Sequence, residues 1–412
     1  MPDTTFRPST VFFLPFSAEQ PESFPQEVSS LSCWDSVPTE ALATRYLLRY
    51  AARIAENPSL FRCYRLAADA MPRLCLHSDR FAYTDRIRIE EIRLSLFATG
   101  IGFLELHVFY DGLSLTEITD FAYRFKRVAQ GEPVEGELLL LDAAQKLLPP
   151  SVTFFFEGRA DFKKECLCFH RLCITEGTET DESLDRMLCL LRRSYAQWFR
   201  LPGDDSEYDM RYDPYPNDCW AGSQEGLVNL NLRAGNEEDD WFLDHFKFNH
   251  LAVDYHFLYL LLLNQRFSAI RYITEIAECG TDSRRKLEKL NRNIVRLKTV
   301  FSFNVISDDQ IYQNVYARLY RILDIDRLLA DIRDNEEQME ILQNTEAVKA
   351  DQTANKFLFG ISLLSLFSAL IDAAGYFDRF PGLQTASTWV SLACVVAIIL
   401  LCVVFLIRDR NK

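Results

Sequence analysis

Cys166, Cys168, His170 and Cys173 stand in a C-x-C-x-H-x-x-C spacing, and thiolate and imidazole are the donors that bind zinc. Zinc sites usually join two C-x-x-C units, or one such unit and a histidine pair. Here the residues lie in an alternating apolar run, "CLCFHRLCITEG". A strand there puts Cys166, Cys168 and His170 on one face and Cys173 on the other, which predicts buried strand cysteines. His245, His250 and His256 fall on one expected helix, but gaps of five and six do not stack on a face, whereas His250 and Asp254 do. No second ligand pair accompanies them, so they read as satisfied polar groups. Glu237, Glu238, Asp239 and Asp240 precede Trp241 and read as a helix start favoured by the macrodipole, with cation capture as the sharper alternative. The same alternatives hold for the acidic, tyrosine-rich stretch from Asp204 to Asp218, expected as a loop. The sequence has no GxGxxG, P-loop, HExxH or GxSxG pattern, so no hydrolase or nucleotide-transfer chemistry is supported and the chain is not expected to be an enzyme.

The surrounding composition is acidic. The net charge is −14 over 412 residues, and the first 356 carry 41 basic and 56 acidic side chains. Direct nucleic-acid binding, which needs a cationic surface, is not expected. Eleven cysteines without framework spacing indicate reduced thiols. "VFFLPF" (Val11–Phe16) is too short, and contains a proline, to be read as a secretory signal.

Residues 1–240 form an expected mixed α/β domain. Strand alternation appears in "IRLSLFATG", "GFLELHVFYDG", "GELLLLDAA", "VTFFFEG" and "CLCFHRLCITEG", and helical patterns in "PTEALATRYLLRYAARIAE" and "LDRMLCLLRRSYAQWFR". Residues 241–309 continue as its helical part, with Phe257–Leu263 as core and a second helix from Asp282 to Phe301, capped by Thr281 or Asp282. From Gln310 to Lys356 no proline or glycine interrupts an apolar stripe that includes Ile311, Val315, Leu319, Ile322, Ile325, Leu329 and Ile332. That pattern predicts a stalk helix over 310–356, running unbroken to about Phe377.

Two apolar runs follow, Phe357–Gly375 and Trp389–Ile407. Crossing the hydrocarbon takes about 20 apolar residues, so they read as transmembrane helices over 357–377 and 389–407, joined by an outer loop at 378–388. A basic tail at 408–412 and Lys356 place both termini in the cytoplasm, in a multi-pass protein of the inner membrane. Asp372 lies inside the first run and shares a helical face with Ser368, Ser365, Ile361 and Leu358. In a multi-chain bundle this face would line an anionic pore and select cations, with Asp372 as metal-ligating candidate; a headgroup-level residue or local cap is the alternative.

The order of parts resembles the CorA metal-ion transporters: an α/β domain, a long helix continuous with a first span, a short loop, a second span and a basic tail. The resemblance is strongest from Ser283 to Lys412, through "IDRLLADIRDNEEQMEILQNTEAVKADQTANKFLFGISLLSLFSALIDAAGYF". It implies a homopentamer with the first span lining the pore and with Arg408, Arg410 and Lys412 ringing its inner mouth. The family's outer Gly-Met-Asn signature falls on Gly375, Tyr376 and Phe377, where only the glycine matches. Asp378 or Asp372 would then supply oxygens to the ion. The implied cofactor is a divalent cation, Mg²⁺ or similar, transported or regulatory. The chain also resembles CorA-like proteins that lack the signature and accompany type III CRISPR systems as membrane effectors gated by a nucleotide second messenger. Three functions follow as expectations: a divalent-cation channel, a messenger-gated membrane effector in antiviral defence, and a non-conducting membrane-anchored scaffold.

Overall fold

The stretch Ser9–Ala18 holds five large apolar residues between Val11 and Phe16 and is almost wholly buried, so it must pair on both edges and be covered on both faces. It forms β1, the centre of the structure. A computed structural model describes residues 6–38, 44–70, 86–128, 148–155, 166–175, 180–193, 210–278, 284–335, 337, 358–362, 365, 368 and 389. The chain divides into two compact units, Met1–Arg333 and Asp334–Lys412.

The first unit carries a ten-stranded sheet in the order β2-β3-β4-β5-β1-β7-β10-β9-β8, with β6 also on β1. The strands are β1 (Ser9–Ala18), β2 (Trp34–Ser36), β3 (Phe61–Leu66), β4 (Ile87–Phe97), β5 (Ile101–Tyr110), β6 (Val152–Phe154), β7 (Leu167–Thr175), β8 (Met210–Tyr215), β9 (Asp218–Gly222) and β10 (Gly226–Arg233). All neighbours are antiparallel except β7 and β10. Pro15 lies inside β1 at the point where β7 pairing stops at Phe13 and β6 pairing begins at Phe16. A residue without N–H is tolerated where the ladder changes partner.

Side-chain alternation sends Phe12, Leu14 and Phe16 to one face, under α1 (Phe24–Ser30), α3 (Leu115–Val128) and α4 (Asp181–Arg192). Phe12 packs on Phe121 and Phe125 of α3. The other face lies under α7 (Asp254–Glu278), through Phe13 with Tyr259, Phe103 with Phe267 and Phe61 with Phe257. Leading into α7 are α5 (Glu237–Phe242), one π-helical turn (Leu243–Lys247) and α6 (Phe248–Ala252). Beyond it are α8 (Arg284–Arg296), a second π-helical turn (Leu297–Phe301) and α9 (Gln310–Ile322). The short α2 (Arg49–Glu56) is tied in by Leu48 N–H donating to the Ile306 carbonyl at 2.8 Å.

The turn from β4 to β5 uses Gly100 at φ +83°, where Ala18 N–H donates to its carbonyl at 2.8 Å. Two residues on, a methyl group at Gly102 would collide with the buried Phe16 ring and stand 2.5 Å from the Ser95 carbonyl oxygen. Gly102→Ala is therefore expected to lose about 1–3 kcal/mol, since overpacking against backbone finds no easy relief. A urea melt showing no loss would contradict that packing.

Two expectations for the C-terminal third need correction. Helix α9 ends at Ile322 and Asp324 takes a left-handed φ of +54° before helix resumes over 325–335. The unbroken helix from Gln310 to Phe377 is thus interrupted near its start. The cause is apolar: Ile322, Leu323 and Ile325 are all buried, and residues at such spacing cannot share one stripe of a continuous helix. The break turns each of them inward, and Val315, Leu319 and Ile332 are covered too, so the stripe is spent inside the first unit.

The second correction concerns the membrane. Among the described residues no helix is long and apolar enough to cross a membrane. That overturns the C-terminal transmembrane hairpin, and with it the membrane-protein and ion-channel readings and the placement as a multi-pass protein of the inner membrane. The hairpin was inferred from hydropathy alone, which measures a preference for burial and not the medium that provides it. Most of both runs lies outside the described residues.

Candidate metal centre

Glu105 and His107 stand two apart on β5 and so project from the same face, towards α7. A bulge in β4 between Ile89 and Glu91 sets the facing register, placing Glu91 opposite His107 and Arg93 opposite Glu105. His256 comes from the first turn of α7. That turn is fixed where α6 stops at Ala252 and Asp254 accepts the backbone N–H of Arg45 at 2.8 Å. Two elements distant in sequence, β5 and α7, thus deliver a carboxylate and two imidazoles to one point.

The three groups are buried, and their ligand atoms lie within 4.8 Å of one another. His256 Nε2 is 2.7 Å from Glu105 Oε2. His107 Nε2 is 3.4 Å from the same oxygen, and it forms no hydrogen bond among the described residues. His256 Nδ1 is likewise buried without a partner among the described residues. The other carboxylate oxygen, Oε1, accepts the Ser95 hydroxyl, which fixes the rotation of the group. The rings of His107 and His256 are 5.5 Å apart, and Phe13 covers His256 at 5.6 Å.

Burial pushes His107 down to about 3, against the opposing pull of Glu105, and it lowers His256 in the same way. Burial works to raise Glu105, but His256 and His107 outweigh it and hold the carboxyl below its usual range. These directions favour a carboxylate at Glu105 and neutral imidazoles at His107 and His256, the forms that metal ligation requires. The Glu91–Arg93 ion pair at 2.8 Å flanks it. Burial raises the Cys63 thiol, also nearby, to about 12, so it is no thiolate ligand. A recess of about 100 Å³, lined by Arg93, Ser95, Cys63 and Val253, reaches Glu105 and His256.

Other residues singled out in the sequence are placed as follows. Cys166, Cys168 and His170 are buried on β7 and its approach, and Cys173 is half-buried on the opposite face, as the strand reading expects. His170 Nδ1 bonds Thr10 Oγ1 at 2.7 Å. The three helical histidines separate at Val253: His245 Nδ1 meets the Trp241 carbonyl, His250 packs on Tyr46, and His256 enters the centre. His256 matches the satisfied-polar expectation at Nε2, which bonds Glu105, but its Nδ1 has no partner among the described residues. The acidic run begins α5 under an Asn236 cap that accepts Asp239 N–H at 2.8 Å. The supposed acidic loop contains β8 and the start of β9 among its described residues. Asp218 there is a buried partner of Lys247. Thr281 and Asp282 lie outside the described residues.

Leu358, Ile361, Ser365 and Ser368 are helical and exposed. Asp372, Gly375, Tyr376, Phe377, Asp378, Arg408, Arg410 and Lys412 lie outside the described residues. The centre's own signal was present in "GFLELHVFYDG", where Glu-x-His alternates on one strand face. His256, 151 positions from Glu105, was not inferable from spacing. No family model, no curated protein and no solved structure matches the chain.

Proposed function

We propose that this chain binds one divalent transition-metal ion through Glu105, His107 and His256, and that the ion is structural or regulatory. One observation carries the reading: three converging, buried ligand groups, with His107 Nε2 making no hydrogen bond among the described residues. Two imidazoles and a carboxylate suit Zn²⁺, Fe²⁺, Mn²⁺, Co²⁺ or Ni²⁺; Mg²⁺ prefers an all-oxygen shell. Ser95 would act as the outer partner that orients Glu105. The adjoining recess, about 100 Å³, has room for a few waters. That size favours a held ion over substrate turnover. The bound ion would pin the first turn of α7 to β5 and so set how the helical layer sits on the sheet.

The test is calorimetric titration of chelator-treated full-length protein with Zn²⁺ and Mn²⁺. One equivalent is expected to bind, and saturation at about 1,000 times Kd would add about 4 kcal/mol to stability. His256→Gln and His107→Gln are expected to weaken binding by at least about tenfold each, with circular dichroism checking their fold. Absence of binding, or unchanged binding in both variants, would refute the proposal.

A further inference from the structure

A separate cleft lies where β9 and β10 meet the π-helical turn before α6 and the start of α9. Its volume is about 230 Å³. Its floor is a stack of tyrosines: Tyr46 on Tyr312 at 5.0 Å and 6°, and Tyr312 on Tyr255 at 4.1 Å and 8°. Two buried polar atoms among its lining residues have no partner among the described residues, the Tyr312 hydroxyl and Asn231 Oδ1. Tyr312 is 4% exposed and Asn231 1%.

The orientation of Asn231 is set by a chain of hydrogen bonds. Lys247 Nζ donates to Asp218 Oδ2 at 2.5 Å, and Asn229 Nδ2 donates to Asp218 Oδ1 at 2.6 Å. Asn231 Nδ2 donates to Asn229 Oδ1 at 2.8 Å and to the Leu172 carbonyl at 3.2 Å. Both uses fall on the amide nitrogen, so the amide is held with its oxygen as an unused acceptor. A buried acceptor without a donor is costly, and a ligand N–H would relieve it.

Charge then selects among ligands. Among the lining residues Asp218 and Lys247 neutralise each other, which leaves Asp239 and Asp309 beside His250, which burial pulls below its usual value. Such a lining repels anions and favours cations, and tyrosine rings add attraction for a positive group.

We infer that this cleft binds a small organic amine, protonated and carrying at least one N–H, on an aromatic or apolar body. The ammonium donates to Asn231 Oδ1 and meets the Tyr312 hydroxyl, and the body lies among the tyrosines. The site is independent of the metal centre and stands or falls apart from it.

The test uses the full chain and four probes read by ligand-observed NMR: benzylammonium, benzyltrimethylammonium, benzyl alcohol and benzoate. Benzylammonium is expected to bind at least about tenfold more tightly than the trimethylated cation, which has no N–H to give Asn231. Benzoate is expected not to bind. Tyr312→Phe removes only an unbonded hydroxyl, so it should fold as well as the parent while binding benzylammonium several-fold more weakly. Equal binding of the two cations, binding of benzoate at comparable strength, no binding by any probe, or unchanged affinity in Tyr312→Phe would each overturn the inference.

Discussion

Replacing Asp218 with alanine is expected to remove about 3–5 kcal/mol of stability, because it leaves the Lys247 ammonium buried without its counter-ion. Both side chains are at least 91% buried and their N···O distance is 2.5 Å. The ammonium stands 5.4 Å from the Trp220 ring and 5.8 Å from Tyr255, contacts too weak to replace a carboxylate. The double variant Asp218→Leu/Lys247→Met removes both charges at once and should recover most of the loss. It leaves only the Asn229 amide short of a partner, at about 1–3 kcal/mol. Urea titrations of the three proteins decide the matter. A single variant within about 1 kcal/mol of the parent would mean that water reaches Lys247 and that the pair is not buried in solution.

The second large effect is a loss of stability in mild acid, traced to His170. This ring lies wholly inside the sheet–helix core, beside Phe12 and bonded to Thr10. Burial lowers it to about 3, outweighing the opposing pull of the Leu191 backbone carbonyl. In the unfolded chain a histidine titrates near 6.5. The unfolded state therefore binds more protons throughout the window between about 6.5 and about 3. The histidine's full contribution is present above 6.5 and is lost as pH falls towards 3, at about 1.4 kcal/mol per pH unit. At pH 4 that amounts to roughly 3 kcal/mol from this residue alone. His170→Asn should be less stable than the parent at pH 8 and show a shallower decline below pH 6. Equal slopes in the two proteins would place the acid sensitivity elsewhere.

Much of the first unit was readable from residue order. β4, β5 and β7 follow from alternation, and Phe257–Leu263 from an apolar run too short for anything but a core. The start of α5 follows from acids behind a capping asparagine. β8–β10 were harder. In β8, "MRYDPY" mixes acids, tyrosines and a proline, and its strand character comes from pairing with β9. In β10, "GLVNLNLR" sends Asn229 and Asn231 inward, where a strand pattern ordinarily shows apolar residues. The break at Asp324 had no glycine or proline to announce it. It arises from the competing burial of Leu323 and Ile325, which is a tertiary demand.

The metal centre divides in the same way. Glu105 and His107 share a face because strands have a period of two, and that much is local. The bulge that sets Glu91 and Arg93 beside them, and the arrival of His256 from another layer, depend on how the layers stack. The three histidines of residues 245–256 looked alike in the sequence, and only packing distinguishes the one that meets a carboxylate.

The position of β1 has a bearing on how the chain is made. This strand lies near the N-terminal end of the sequence, yet its neighbours are β5 on one side and β6 and β7 on the other, and Thr10 bonds a residue 160 positions away. Pairing at such separations raises contact order and slows folding. On the ribosome, Val11–Phe16 would emerge long before β7 exists to flank it, and would wait as an unpaired apolar segment of the kind that chaperones hold. A strand buried along almost its whole length is thus made first in the sheet, and a neighbour on its second edge is made only some 160 residues later.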